Sequence, residues 1–194
     1  MSVSAHSPAT RLTPLLARND VFARTHTPLA LAPPTAQLIV VTCLDHRVDP
    51  ATVLGLQLGD APVIRNAGGR VTPAVLDDLA YLAFLARRVF GMAGPLFEVA
   101  VIHHTQCGTG FLADDGFRRE AAAATGLPEA MLAASEVADP YATVRTDVER
   151  LLAAPFPAAK ISASGHVYDV DTGRVTTVVD AQPVPGRPEL RTRR

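Results

Sequence analysis

The residues of this sequence best equipped for chemistry are His104 and Cys107, three positions apart, with Cys43, Asp45 and Arg47 far upstream. An imidazole and a thiolate at i and i+3 fall on one side of a turn or helix and can chelate one ion. They follow the apolar run Phe97–His103 and precede Gly108 and Gly110. Cys43 closes a second apolar run, Gln37–Thr42, so three soft or borderline donors come from two strand ends. Two thiolates and an imidazole select zinc over magnesium or calcium, and three protein ligands leave a fourth position for water, as in catalytic sites. That water is the candidate nucleophile. Consecutive residues leaving a strand point to opposite faces, so only one of His103 and His104 can easily join Cys107, and the i, i+3 relation favours His104. His103 is expected to pack, or to support the site from behind.

Asp45 and Arg47 lie two and four residues after Cys43, and an extended backbone puts all three side chains on one side. Two arrangements are open to Asp45. It can close the site as a fourth ligand, or a charge-assisted, bidentate bond to Arg47 can hold it off the metal, where it would accept a hydrogen bond from bound water. His46, between the two, points away from them and reads as an exposed or packed histidine, with proton shuttling as the functional alternative. Cys43 and Cys107 are the only cysteines. Without an export signal a disulfide is disfavoured, and metal binding or catalysis becomes the better expectation.

The elements that must position these residues follow from patterning. Gln37–Thr42 and Phe97–His103 are short, continuous and rich in β-branched residues, as buried parallel strands are. Pro62–Asn66 reads as another strand between the turn signals Gly59-Asp60 and Gly68-Gly69, and Ala51–Leu58 has room for a short helix. Gly68-Gly69 serves either a tight strand-to-helix turn or a close backbone approach to substrate. Helical spacing runs from Pro73 to Phe90 and ends at Gly91. Asp114 or Asp115 caps a helix that stops near Gly126, and Asp139-Pro140 opens another with Tyr141, Val144, Val148, Leu151 and Leu152 on one face. Ile161–Asp169, a turn at Gly173 and Val175–Val179 make a strand and an edge hairpin. Strands alternating with helices predict a single α/β domain over 37–182 with a mostly parallel central sheet flanked by helices. Residues 1–36 form an arm with a helix over Leu12–Ala23, whose apolar face a neighbouring subunit could cover. Residues 183–194 are expected to be a disordered tail.

The chain's 194 residues suffice for one sizeable core, and a formal charge of −1 offers no nucleic-acid footprint. The N-terminus lacks an apolar signal segment, and no stretch approaches the roughly 20 apolar residues that span a bilayer. A cytoplasmic protein without a membrane partner is expected.

Three blocks, Cys43-Leu-Asp45-His-Arg47, Arg65-Asn-Ala-Gly-Gly69 and His104-Thr-Gln-Cys107-Gly108, resemble in order the signatures of the β-class carbonic anhydrases. The likeness runs from about Leu15 to Asp180 and includes Gly165-His-Val-Tyr-Asp169 with Thr172-Gly173; His46 departs from it, standing where a small residue is usual. It implies zinc-dependent, reversible hydration of carbon dioxide to bicarbonate by a metal-bound hydroxide, with one zinc per subunit on Cys43, His104 and Cys107. It also implies that Asp45 and Arg47 form the dyad gating the fourth position, and that the subunits assemble as homodimers or homotetramers through the N-terminal helix. Relatives that hydrolyse carbonyl sulfide or carbon disulfide share the site, and a non-catalytic zinc closed by Asp45 is the alternative outside enzymes. Two thiolates neutralise more of the zinc charge than three histidines do, for which bound water has a pKa of about 7. Turnover is therefore expected to rise from pH 7 to 9; a flat or falling rate over that range contradicts this.

Overall fold

The computed structural model describes residues 8–154, 156 and 160–185, apart from the side chains of residues 8–10. The chain divides into two compact units, Met1–Leu31 and Ala32–Arg194. In the first, helix α1 spans Pro8–Ala23. It begins at Pro8 rather than Leu12, which puts Pro14 inside the helix, where proline removes a backbone donor. Its Leu12, Leu15, Leu16, Val21 and Phe22 are exposed.

The second unit is built on strands β1 (Leu38–Cys43), β2 (Val63–Asn66), β3 (Glu98–His104), β4 (Ser162–Tyr168) and β5 (Val175–Pro183), ordered β2-β1-β3-β4-β5. The pairs among the first four are parallel, and β5 closes the edge antiparallel to β4. This is the expected α/β architecture. The chain leaves β1 outward to β2 and returns to β3 on the other side, so the strand order reverses between β1 and β3. The carboxyl ends of those two strands therefore flank the crevice where open α/β sheets bind their ligands. Cys43 is the last residue of β1 and His104 the last of β3.

Helices α3 (Pro73–Arg88) and α6 (Pro140–Ala153) hold one sheet face. Val75, Leu79, Ala83 and Ala86 of α3 recur at helical spacing and pack with Val144, Val148 and Leu151 of α6 on Ile39, Val41, Val99, Val101, Ala163 and Val167. On the other face Val40, Ala100 and Ile102 pack with Leu38, Leu56 and Tyr168. Both helices start on cap-plus-proline signals: the Thr72 hydroxyl accepts from Val75 N before Pro73, and the Asp139 carboxylate accepts from Tyr141 N and Ala142 N before Pro140.

Several boundaries differ from the sequence reading. The helix read over Ala51–Leu58 is only α2, Pro50–Val53, because Gly55 turns the chain with φ 70°. Asp114 caps α4 (Asp115–Thr125), as read, but the following α5 (Glu129–Ala134) buries no residue and so left no apolar stripe to read. Tyr141 lies in the first turn of α6 and is exposed, and the buried residues of the helix are Val144, Asp147, Val148 and Leu151, one of them polar. The tail does not begin at Pro183: that residue ends β5, and Val184 is buried, donating its N–H to the Ile161 carbonyl. Residues 186–194 lie outside the described residues.

Candidate metal centre

Cys43, His104 and Cys107 converge. Their donor atoms lie within 4.8 Å of one another and all three residues are buried, which makes them the cluster able to hold a metal ion among the described residues. The Sγ atoms of Cys43 and Cys107 are 3.8 Å apart and unbridged. Cys107 reaches this position because the chain reverses sharply after β3. Gln106, with φ 56°, occupies the left-handed region that few side chains accept, and the short 3-10 turn Gly108–Ala113 follows.

The protonation of His104 follows from its partners. Nδ1 lies 2.9 Å from the Thr105 carbonyl, which only accepts, so Nδ1 carries the hydrogen and Nε2 the lone pair. That Nε2 is buried without a hydrogen-bond partner. A buried imidazole lone pair beside two thiols is a costly arrangement for a protein that puts nothing there, and it is the donor set of a zinc ligand. The residues present therefore fit zinc. Thr105 is itself fixed, its N–H on the Tyr168 carbonyl and its hydroxyl accepting from Val170 N. The two thiols are within hydrogen-bonding reach of each other. The hydrogen bond that the Cys43 thiol donates to Cys107, then burial, pushes Cys43 up to about 12, while accepting that bond pulls Cys107 down to about 6, assisted by the Thr109 hydroxyl 3.2 Å away.

Asp45 is not among the converging donors. Both of its oxygens face Arg47, whose Nε donates at 3.0 and 3.2 Å and whose Nη2 donates to Oδ2 at 2.7 Å; the Arg47 backbone N–H adds a bond at 2.9 Å. The charge-assisted, bidentate bond to Arg47 that the spacing allowed is present. The Arg47 hydrogen bond is the main reason that the Asp45 carboxyl sits well below its ordinary value, near 4. A group lowered in this way contributes stability that is fully present above about pH 4 and is lost as pH falls from there through the group's own lowered value, where its charge is lost. Arg47 Nη2 also donates to the Gln106 carbonyl at 2.9 Å, tying the segment after β1 to the turn after β3. His46 is exposed, its Nδ1 3.7 Å from Asp45 Oδ1.

Sequence reasoning missed several supporting residues. Arg65 stood only as part of a motif, yet its Nε donates to the Cys43 carbonyl and its Nη2 to the Asp45 carbonyl. Its position on β2 opposite Thr42 of β1 was the available signal. Thr109, Gln106 and Thr105 act through short bonds that no spacing reveals.

The two glycines answer the question left at the turn after β2. Both have positive φ, 80° at Gly68 and 67° at Gly69, and the backbone they approach is the protein's own. A Cβ on Gly69 would lie 2.7 Å from Cys43 N, and one on Gly68 would lie 2.7 Å from the Ser135 carbonyl oxygen. Gly69→Ala is expected to cost about 2–5 kcal/mol, combining left-handed strain with overpacking, or roughly 5–15 °C in Tm. A melting point within about 2 °C of wild type by circular dichroism would contradict this close contact.

A three-donor cluster at the switch point of a mostly parallel sheet, with an adjacent carboxylate restrained by arginine, defines an α/β protein with a site able to hold a metal ion. The carbonic anhydrase family profile matches residues 38–175. The chain is 35% identical over 146 residues to β-carbonic anhydrase 1 of Mycobacterium tuberculosis, covering 75% of this chain and 84% of that protein. It is 30% identical over 162 residues to a carbon disulfide hydrolase of Acidithiobacillus thiooxidans, covering 74% and 77%. The crystal structure of carbonic anhydrase from Streptococcus mutans superposes with a TM-score of 0.67 at 32% identity, covering 86% of this chain and 96% of that one. This chain belongs to the β-carbonic anhydrase family.

Proposed function

We propose that the protein is a zinc-dependent carbonic anhydrase interconverting carbon dioxide and bicarbonate, with Cys43, His104 and Cys107 as ligands and Asp45 and Arg47 as the dyad beside the open position. The observation that carries this reading is the engagement of both Asp45 oxygens by Arg47, which leaves three converging donors rather than four. When bound, zinc supplies Lewis-acid activation of a water as nucleophile.

The chain's residues do the rest. Cys43 and Cys107 act as thiolates, and the Nδ1–H bond to Thr105 holds the His104 ring with Nε2 toward them. Val48 and Val137 pack around the two cysteines, with Tyr168 and Val170 against them, an apolar wall suited to a small nonpolar gas and poor at holding competing water. Asp45, ionised through the physiological range, accepts a hydrogen bond from the attacking water and orients it, while Arg47 keeps the carboxylate out of the ligand set.

The relative that hydrolyses carbon disulfide supports a second reading, in which the same site takes carbon disulfide or carbonyl sulfide. Carbon dioxide hydration and sulfide release measured side by side on one preparation separate the two. The leading proposal expects hydration to dominate; sulfide release without hydration overturns it.

The exposed apolar residues of α1 support assembly as a homodimer or homotetramer in which the N-terminal arm packs on a neighbouring subunit. Two unbridged cysteines used as ligands favour a reducing, cytoplasmic setting. Among the described residues no helix is long and apolar enough to cross a membrane.

A further inference from the structure

Behind the site lies a buried charged cluster that the proposed chemistry does not use. Asp147 of α6 is fully buried, yet three side chains meet it. Arg70 Nε donates to its Oδ2 at 2.7 Å, Arg150 Nη1 lies 2.6 Å from Oδ1, and His103 Nε2 is 3.2 Å from Oδ2. Arg70 and His103 are buried as well. Burial pushes the Asp147 carboxyl up, but His103 and Arg70 outweigh it and leave the group below its ordinary value, so it is held as the anion. Buried charges carry a desolvation cost that apolar packing would avoid, so they are a poor device for stability alone.

Two of these side chains lead back to the ligands. Arg70 follows the 3-10 turn Ala67–Gly69 and exchanges bonds with Asn66, its N–H on the Asn66 side-chain oxygen and its carbonyl accepting from Nδ2. That turn carries Gly69, pressed on the Cys43 backbone, and Gly68, where an added Cβ would meet the Ser135 carbonyl oxygen at 2.7 Å and the Thr109 hydroxyl at 3.1 Å. Arg70 Nη1 also donates to the Glu136 carbonyl. His103 precedes His104 in β3; its Nδ1 lies 2.8 Å from the Thr143 hydroxyl of α6, and its Nε2 faces the Asp147 carboxylate in a 3.2 Å contact that is not a well-formed hydrogen bond.

We propose that Asp147 is a positioning residue for the metal site: through Arg70 it seats the glycine turn against Cys43, and through His103 it fixes the end of β3 that presents His104. This rests on the reading of Cys43, His104 and Cys107 as zinc ligands. Asp147 touches neither metal nor substrate, and its effect is on how firmly the two ligand-bearing strand ends are held together.

The test is zinc release from the purified zinc-loaded protein to a chromophoric chelator, with the absorption spectrum of the cobalt-substituted protein as a second readout. Asp147→Asn, nearly isosteric but neutral, is expected to release zinc about 10–100-fold faster and to shift the cobalt bands, as loss of support behind metal ligands does. Leu151→Ala serves as the control. It opens a cavity in the same helix without touching Arg70 or His103, and is expected to lower Tm while keeping zinc release within about twofold of wild type. If Asp147→Asn does not fold, Arg70→Lys is read in the same way, since lysine keeps the charge but cannot reach Asp147 and the Glu136 carbonyl together. Unchanged release in the first variant that folds, or equal acceleration in Leu151→Ala, overturns the proposal. A wild-type protein that takes up no zinc overturns the ligand reading itself.

Discussion

His104→Ala is expected to strip the protein of zinc and cut carbon dioxide hydration by about 10³-fold or more. Lewis-acid activation is worth several kcal/mol, and each 1.4 kcal/mol is a factor of ten in rate. The loss follows from the pairing at this residue. Nδ1–H is committed to the Thr105 carbonyl, so Nε2 is the nitrogen free to bind, and it is buried with no other partner. Alanine leaves two thiols 3.8 Å apart, one protein donor short of the three that catalytic zinc sites use. Zinc content by atomic absorption and stopped-flow hydration check this together. A variant that keeps its zinc and more than a tenth of the wild-type rate would remove His104 from the ligand set.

Arg47→Met is expected to act in the opposite way on the metal. Arg47 supplies three hydrogen bonds to the Asp45 carboxylate through its guanidinium. Without them Asp45, two residues from Cys43, is free to become a fourth ligand, closing the position meant for water. Hydration should fall by about 10²-fold or more, the usual worth of a positioned acid–base group, while zinc is retained as tightly as in wild type or more so. Asp45→Asn in the same background removes the competing ligand. Zinc lost from Arg47→Met, or near-wild-type hydration in it, would show that the arginine does not hold the carboxylate off the metal.

These two predictions rest on features of unequal legibility. The parallel strands showed in their β-branched runs, and Cys43 and His104 were placed at strand ends because those runs stop there. The choice of His104 over His103 followed from strand alternation together with the i, i+3 spacing to Cys107, and in the structure His103 faces Thr143 and Asp147. The Asp45–Arg47 pair was visible as spacing, but its state was not, because the choice between metal and guanidinium depends on where Gln106 puts its carbonyl and so on a left-handed residue. Asp147 escaped notice for a similar reason. A lone acidic residue on an amphipathic helix reads as solvent-facing, and only the long-range meeting of Arg70, His103 and α6 shows that its partners are inside. Helix α5 buries nothing, and periodicity cannot find an element without a buried face.

The central claim is that Cys43, His104 and Cys107 hold one zinc on which carbon dioxide hydration depends. Its most direct test is zinc stoichiometry and hydration rate on one preparation, before chelation, after it, and after zinc is returned. The account predicts one zinc per chain, activity lost with the metal and activity restored with it. Full zinc occupancy without hydration, or hydration that survives complete removal of the metal, would contradict it.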